Sequence, residues 1–214
     1  MDERATGLVL RTRPLTETSL IVNWLTPELG RIATVAKGAR RPKSPFRGKL
    51  DLFYLADFSF ARSRRSDLHT LREVSLRDTH AALRENLAGL RQAAYCTRLV
   101  EQSTETETPL PVVFQLLCRL LDSQPGRSPQ PHTVFAFELR LLADLGQAPD
   151  LAQAAVSPGS RQILQKLGQA DWATLSRLQP SAAQIREIGL FLHGFLIYHL
   201  GRIPSGRAKL IPGD

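Results

Sequence analysis

The chain has little to build a catalytic centre from. Its 214 residues include two Cys, one Met and five His. Two cysteines, Cys96 and Cys118, do not make a disulfide framework, and there is no CxxC pair for metal or redox chemistry. Both lie in apolar helical patterns, which marks them as small buried hydrophobes with free thiols. His193 and His199 are six residues apart, off the i, i+4 spacing that puts two ligands on one helix face, so no metal site is expected. The motifs GxxxxGK[ST], HExxH, GxSxG and GxGxxG are absent. Glu105 with Glu107, and Asp2 with Glu3, fall in polar stretches and read as solvated charge rather than as acid–base pairs. His80 and His132 stand at expected helix starts. Neither enzymatic activity nor a cofactor is expected.

Long apolar runs are also missing. No stretch approaches the roughly 20 residues of a membrane span. The first residues, MDERATGLVL, put acids before a short apolar run, unlike a signal peptide. A cytoplasmic, nucleoid-associated protein is expected, without a membrane partner.

Positive charge is what the chain does have. Formal net charge is +8. Residues 1–80 hold 15 Lys/Arg against 9 Asp/Glu, whereas residues 81–214 hold 13 against 11. Seven of the cations lie between Gly30 and Leu50, namely Arg31, Lys37, Arg40, Arg41, Lys43, Arg47 and Lys49, with no acid among them. Gly38, Pro42, Pro45 and Gly48 prevent a continuous helix or strand there. A charge run is often only a solvated loop. Seven like charges repel one another, however, and a polyanionic partner relieves that repulsion. The loop therefore points to nucleic acid. Arg62, Arg64 and Arg65, in the next polar turn, extend the track. Phosphate contacts position a protein without reading sequence, so little sequence specificity is expected. Of the nearby aromatics, Trp24 and Tyr54 could stack on bases but fit a strand core better, since both fall on alternating strand faces. Phe46, inside the basic loop, is a candidate for stacking on bases.

Strand signals fill residues 5–78: ATGLVLRTRP, SLIVNWLT, RIATVAK, LDLFYLADFSF and LHTLREVSL. The fourth alternates from Leu50 to Phe60 without a break. Five short strands suggest a small closed β-barrel, with an OB-fold leading and an SH3-like barrel fitting the count nearly as well. From residue 79 the apolar period becomes 3.6. Helices are expected from Asp78 or Thr79 to about Gln102, then over PLPVVFQLLCRLLDS, HTVFAFELRLLADLG, SRQILQKLG and a last segment capped by Ser181 and ended by Gly201. A Pro/Gly linker is expected at SQPGRSPQP, and an extended, mobile tail at RIPSGRAKLIPGD. The expected architecture is α+β with two domains: an N-terminal five-stranded OB-fold barrel (residues 1–78) and a C-terminal all-α helical bundle (residues 79–214).

The run TGLVLRTRPLTETSLIVNWLTPELGRIATVAKGARRPKSPFRGKLDLF, with GRIATVAKGARRPKS at its centre, resembles the bacterial recombination mediator family RecO. FLHGFLIYHLGR is similar to that family's last helix. The resemblance implies an OB-fold, a helical domain and no catalytic turnover. It also implies binding of single- and double-stranded DNA, annealing of complementary strands, and loading of RecA onto DNA coated by single-strand-binding protein (SSB). Implied partners are RecR, at the N-terminal domain, and the acidic, apolar C-terminal tail of SSB, at the helical domain. Arg98, Arg119 and Arg140 each interrupt an apolar helix run and are candidates for holding that tail, although snorkelling at a helix surface explains any one of them. Many relatives carry a four-cysteine zinc site after the helix that ends here at Leu145-Gly146. The corresponding QAPDLAQAAVSPGSRQIL holds neither Cys nor His. Outside the resemblance, a general nucleic-acid chaperone or RNA-binding barrel with a protein-interaction helical domain fits the same charges.

Overall fold

The computed structural model describes residues 2–123 and 129–211. Five strands form the first unit: β1 (Asp2–Pro14), β2 (Leu20–Thr26), β3 (Gly30–Ala36), β4 (Leu55–Ala61) and β5 (Leu68–Asp78). They close into a barrel in the order β1-β2-β3-β5-β4. β1 runs antiparallel to both β2 and β4, and β3 pairs with β5 in parallel. β1 can serve two neighbours because it is long and bulged between Val9 and Arg11. Val9, Val22, Trp24, Ile32, Phe58 and Phe60 fill the core. Trp24 stacks on Phe58 at 4.1 Å between ring centres. Its indole N–H would be costly to bury unpaired, and it donates to Thr34 Oγ1 at 2.9 Å.

Among the described residues six α-helices follow: α1 (Leu87–Ser103), α2 (Pro111–Ser123), α3 (Pro131–Asp144), α4 (Pro158–Gln169), α5 (Trp172–Leu175) and α6 (Ala182–Leu200). α3 is apolar on nearly every side and packs against α1, α4, α5 and α6, as a central helix must. Ser181 caps α6 in a capping box with Gln184, and Gly201 ends it at φ 71°. Among the described residues no helix is long and apolar enough to cross a membrane.

Several expectations need correction. The alternation from Leu50 to Tyr54 is not strand; β4 starts at Leu55. Instead the Phe53 N–H donates to Val9 O and the Val9 N–H to Tyr54 O, both at 2.9 Å. Phe53 adopts φ 65° and is buried, whereas Leu50, Leu52 and Tyr54 are only partly so, which means the left-handed turn at Phe53 breaks the alternating face. Asp78 does not cap a long helix. It accepts from the His80 N–H at 2.7 Å, a helical turn spans Ala81–Glu85, and Asn86 Oδ1 caps α1 by accepting from the Gly89 N–H at 3.0 Å.

The chain forms two compact units, residues 1–81 with 104–115, and residues 82–103 with 116–214. The expected division near residue 79 omits the return of 104–115 to the barrel. The polar stretch read as a loop with solvated carboxylates pairs with β3 instead. Arg31 Nε donates to Thr104 Oγ1 at 2.9 Å, Arg31 also bonds Thr104 O, and the Glu107 N–H donates to Arg31 O at 3.0 Å. Glu107 reaches His69 Nε2 at 2.9 Å and Arg62 Nη1 at 3.1 Å.

The tail is not extended and mobile up to Ile211. Arg207 is 2% exposed and Glu138 of α3 is fully buried. Arg207 Nε donates to Glu138 Oε1 at 2.8 Å and Nη2 to Oε2 at 3.0 Å. Tyr95 Oη donates to the same Oε1 at 2.6 Å. The linker expected at Ser123–Pro131 lies mostly outside the described residues, as do the last three residues of the tail.

His132 makes the helical unit sensitive to acid. It is 2% exposed, and its Nε2 donates to Leu175 O at 3.0 Å, since a carbonyl can only accept. Burial holds its pKa below the ordinary 6.5. The unfolded ring therefore takes up a proton before the folded one does. Stability is full above about pH 6.5 and falls as pH drops below it toward the folded pKa. Thermal midpoints at pH 7.5 and 5.5 are expected to differ more in the wild type than in His132→Gln.

Candidate nucleic-acid interface

The segment joining β3 to β4 carries the basic cluster, and it is built from successive tight turns. The N–H groups of Ala39, Arg41, Ser44, Arg47 and Lys49 donate three residues back, to Ala36, Gly38, Arg41, Ser44 and Phe46, at 3.0–3.3 Å. Gly38 (φ 69°) supplies a left-handed turn that other residues rarely adopt. The Arg40 N–H donates to Thr18 O at 3.0 Å, which ties the loop to the β1–β2 turn.

Lys37, Arg40, Arg41, Lys43 and Arg47 are exposed. Their side-chain bonds go to backbone carbonyls: Arg40 Nη1 to Thr16 O at 3.3 Å and Arg47 Nη1 to Pro42 O at 3.2 Å. Lys49 is half-buried and donates to Val74 O at 3.2 Å. None of these six cations makes an ion pair among the described residues. A carbonyl bond leaves the formal charge uncompensated, so the loop keeps its positive field.

The remaining sequence-predicted residues divide. Arg31 is half-buried and holds Thr104, which makes it structural. Arg62 grips both oxygens of Glu3, at 2.7 and 3.0 Å, as well as Glu107. The hydrogen bond from Arg62 holds the Glu3 carboxyl below its usual range, and Glu3 in turn raises Arg62. Arg62 is thus already occupied, whereas Arg64 and Arg65 are exposed and make no ion pair among the described residues. Phe46, expected to stack on bases, is instead 7% exposed and belongs to the barrel core. It is the apolar peg that pins the basic loop down, not a stacking platform. Arg4 and Arg72 lie outside the basic motif and border a cleft beside Lys49. Alternation could have found Arg72, which follows the core residue Leu71; Arg4 lies between two partly buried residues and carries no such signal.

In the helical unit, Arg140 donates Nε to Leu167 O at 3.0 Å, also bonds Ala170 O, and lies 4.8 Å over the Trp172 ring. It terminates α4. Arg98 donates to Ala94 O at 3.1 Å and to Ser205 Oγ at 3.3 Å. Arg119 is exposed on α2.

Comparison with known proteins agrees with the motif. The family models "Recombination protein O N terminal" and "Recombination protein O C terminal" match residues 1–80 and 84–157. The DNA repair protein RecO of Synechococcus elongatus is 35% identical over 165 residues, covering 73% of this chain and 61% of that relative. The protein of the same description from Symbiobacterium thermophilum is 35% identical over 164 residues, covering 76% of this chain and 63% of the relative. That of Rhodopirellula baltica is 32% identical over 150 residues, covering 70% and 56%. The chain thus aligns with less than two thirds of the length of these relatives. Barrel, loop motif and both family matches lead to one conclusion: the chain belongs to the RecO family.

Proposed function

We propose that this protein is a non-enzymatic recombination mediator acting in DNA repair in the cytoplasm. It binds single- and double-stranded DNA without sequence specificity through Lys37, Arg40, Arg41, Lys43, Arg47 and Lys49, with Arg64 and Arg65 beside them. Neutralising phosphates on two strands at once lowers their mutual repulsion, and complementary strands then anneal without ATP. With RecR, the protein loads RecA onto DNA coated by single-strand-binding protein. The strand order β1-β2-β3-β5-β4 supports an OB-type barrel. Of the three arginines considered for the tail of single-strand-binding protein, Arg119 is the best placed, because Arg140 and Arg98 already have partners.

The observation that carries this reading is the run of six cations on one loop with no ion-paired carboxylate among the described residues. Its test is fluorescence anisotropy of labelled single-stranded DNA across a salt series. Wild type is run beside a variant with Lys37→Ala, Arg40→Ala, Arg41→Ala and Lys43→Ala. Counterion release predicts a steep loss of affinity with salt, and a slope shallower in the variant by roughly 0.7 per lost phosphate contact. Equal affinity and equal slope in both proteins would remove the loop from the interface.

A further inference from the structure

The outward side of α6 carries an apolar stripe. Leu190 is 63% exposed, Ile197 41% and Tyr198 83%, half of the large hydrophobics that stand exposed among the described residues. Phe191 and Phe195 are partly exposed beside them, and with Ala155 they line a shallow groove of about 560 Å³. Contiguous apolar surface of this kind marks an interaction site. Gly194 lies at the middle of the stripe. Alanine would fit there, since an added Cβ meets nothing within 4 Å, and alanine would favour the helix. What glycine gives instead is a low point where the backbone of a second helix can come close.

The order of residues says what that second helix is. Counted outward from Gly194, the stripe is its own complement when laid against a copy of itself running the other way. Leu190, four residues before, comes opposite Ile197, three after. Phe191, three before, comes opposite Tyr198, four after. At about 3.6 residues per turn, the two aliphatic residues share one flank of the stripe and the two aromatic residues the other. Aliphatic therefore meets aliphatic, and aromatic meets aromatic. Farther out, Glu187, seven before, comes opposite Gly201, seven after, and so beside Arg202. The Glu187 carboxylate accepts from the Ser157 N–H and from Ser157 Oγ, both at 2.7 Å, yet it pairs with no cation among the described residues. Hydrogen bonds from Ser160 and Ser157 hold its carboxyl below the usual range, so it is charged at neutral pH. Arg202 is exposed and pairs with no carboxylate among the described residues. Each unpaired charge thus finds its opposite in the second copy.

We propose that two copies of this chain pair through α6, antiparallel about a two-fold axis at Gly194. The contact uses the same patch on both copies, so it closes at a dimer. One helix stripe is small for an interface, so the dimer is weak and depends on concentration. It carries two basic loops on one particle, but the inference does not rest on the DNA-binding reading of those loops.

The test is the mass of the full chain by light scattering, without DNA, from about 5 to 500 µM. Wild type is expected to rise from 23.8 kDa toward twice that mass. Leu190→Lys and Tyr198→Lys, both at exposed positions, are expected to stay monomeric, with dimer affinity down at least about a hundredfold. Arg202→Glu sets two carboxylates against each other at each end of the seam and is expected to weaken the dimer about tenfold. Gly194→Cys brings two thiols together on the axis and is expected to form an intermolecular disulfide under mild oxidation. Leu87→Cys, on α1 and 60% exposed before substitution, is expected to form none. A wild type that stays at 23.8 kDa throughout overturns the proposal, as it would if a peptide of another protein filled the groove. So does a dimer that survives both lysine substitutions, or a disulfide that forms as readily in Leu87→Cys as in Gly194→Cys.

Discussion

Arg207→Met is expected to lower stability by about 3–5 kcal/mol, read by urea unfolding of the full chain. The substitution keeps most of the side-chain volume, so the loss is electrostatic. Glu138 is fully buried, and with Arg207 gone only the Tyr95 hydroxyl and its apolar surroundings remain around its charge. Burial, followed by the nearby Glu138 charge, pushes the Tyr95 phenol well above its ordinary value, so the hydroxyl stays protonated and stays a donor. One neutral donor does not replace a two-pronged guanidinium. Arg207 also donates to Gly189 O at 3.3 Å, so its loss frees a carbonyl of α6 as well. Combining Arg207→Met with Glu138→Leu removes both charges and is expected to recover much of the loss. A single-variant cost below about 1 kcal/mol would show that water reaches Glu138.

Gly30→Ala is expected to dislodge residues 104–108 from the barrel. Gly30 sits at φ 64°, where a side chain costs about 1–2 kcal/mol by itself. A Cβ there would also lie 1.8 Å from the backbone oxygen of Thr108, and backbone cannot swing aside as the end of a flexible side chain can. The segment must move, and the Arg31–Thr104 and Glu107–His69 bonds depend on its position. Hydrogen exchange should show lost protection at the Glu107 and Leu110 amides, which donate to Arg31 O and Pro27 O. Gly48→Ala is the control. It has a similar φ of 72° but open space around the added carbon, so it should cost about 1 kcal/mol and leave those amides protected. Unchanged protection in Gly30→Ala would mean that β3 itself yields.

Local features were legible in the sequence and non-local ones were not. Trp24 in the core, Pro at the start of α2, the Ser181 cap and the Gly201 stop each depend on a few neighbouring residues. The basic loop announced itself through composition. Phe46 misled because its surroundings in sequence are charged, whereas its surroundings in space are Phe58 and Val74 of the same core cluster. The Leu50–Tyr54 alternation misled because Phe53, out of step with it, turns through φ 65° and becomes the buried residue of the segment. Glu138 stands in an apolar helix that signals its burial, but its partner Arg207 is 69 positions away in a polar tail that signals nothing. Glu107 read as solvated for the same reason, with its partners Arg62 and His69 on the far side of a helix in sequence.

The return of residues 104–115 to the barrel bears on how the protein is made. All five strands have left the ribosome's active centre once Asp78 is added, yet the carboxylate that engages His69 and Arg62 comes with Glu107. At about 5–20 residues per second, the nascent barrel waits roughly two to seven seconds for its last piece. In that interval α1 must be synthesised, and the end of β3 has no partner for Arg31 on Thr104. A synonymous codon change that slows elongation between residues 79 and 115 would lengthen the life of an incomplete barrel, with no change to the finished protein.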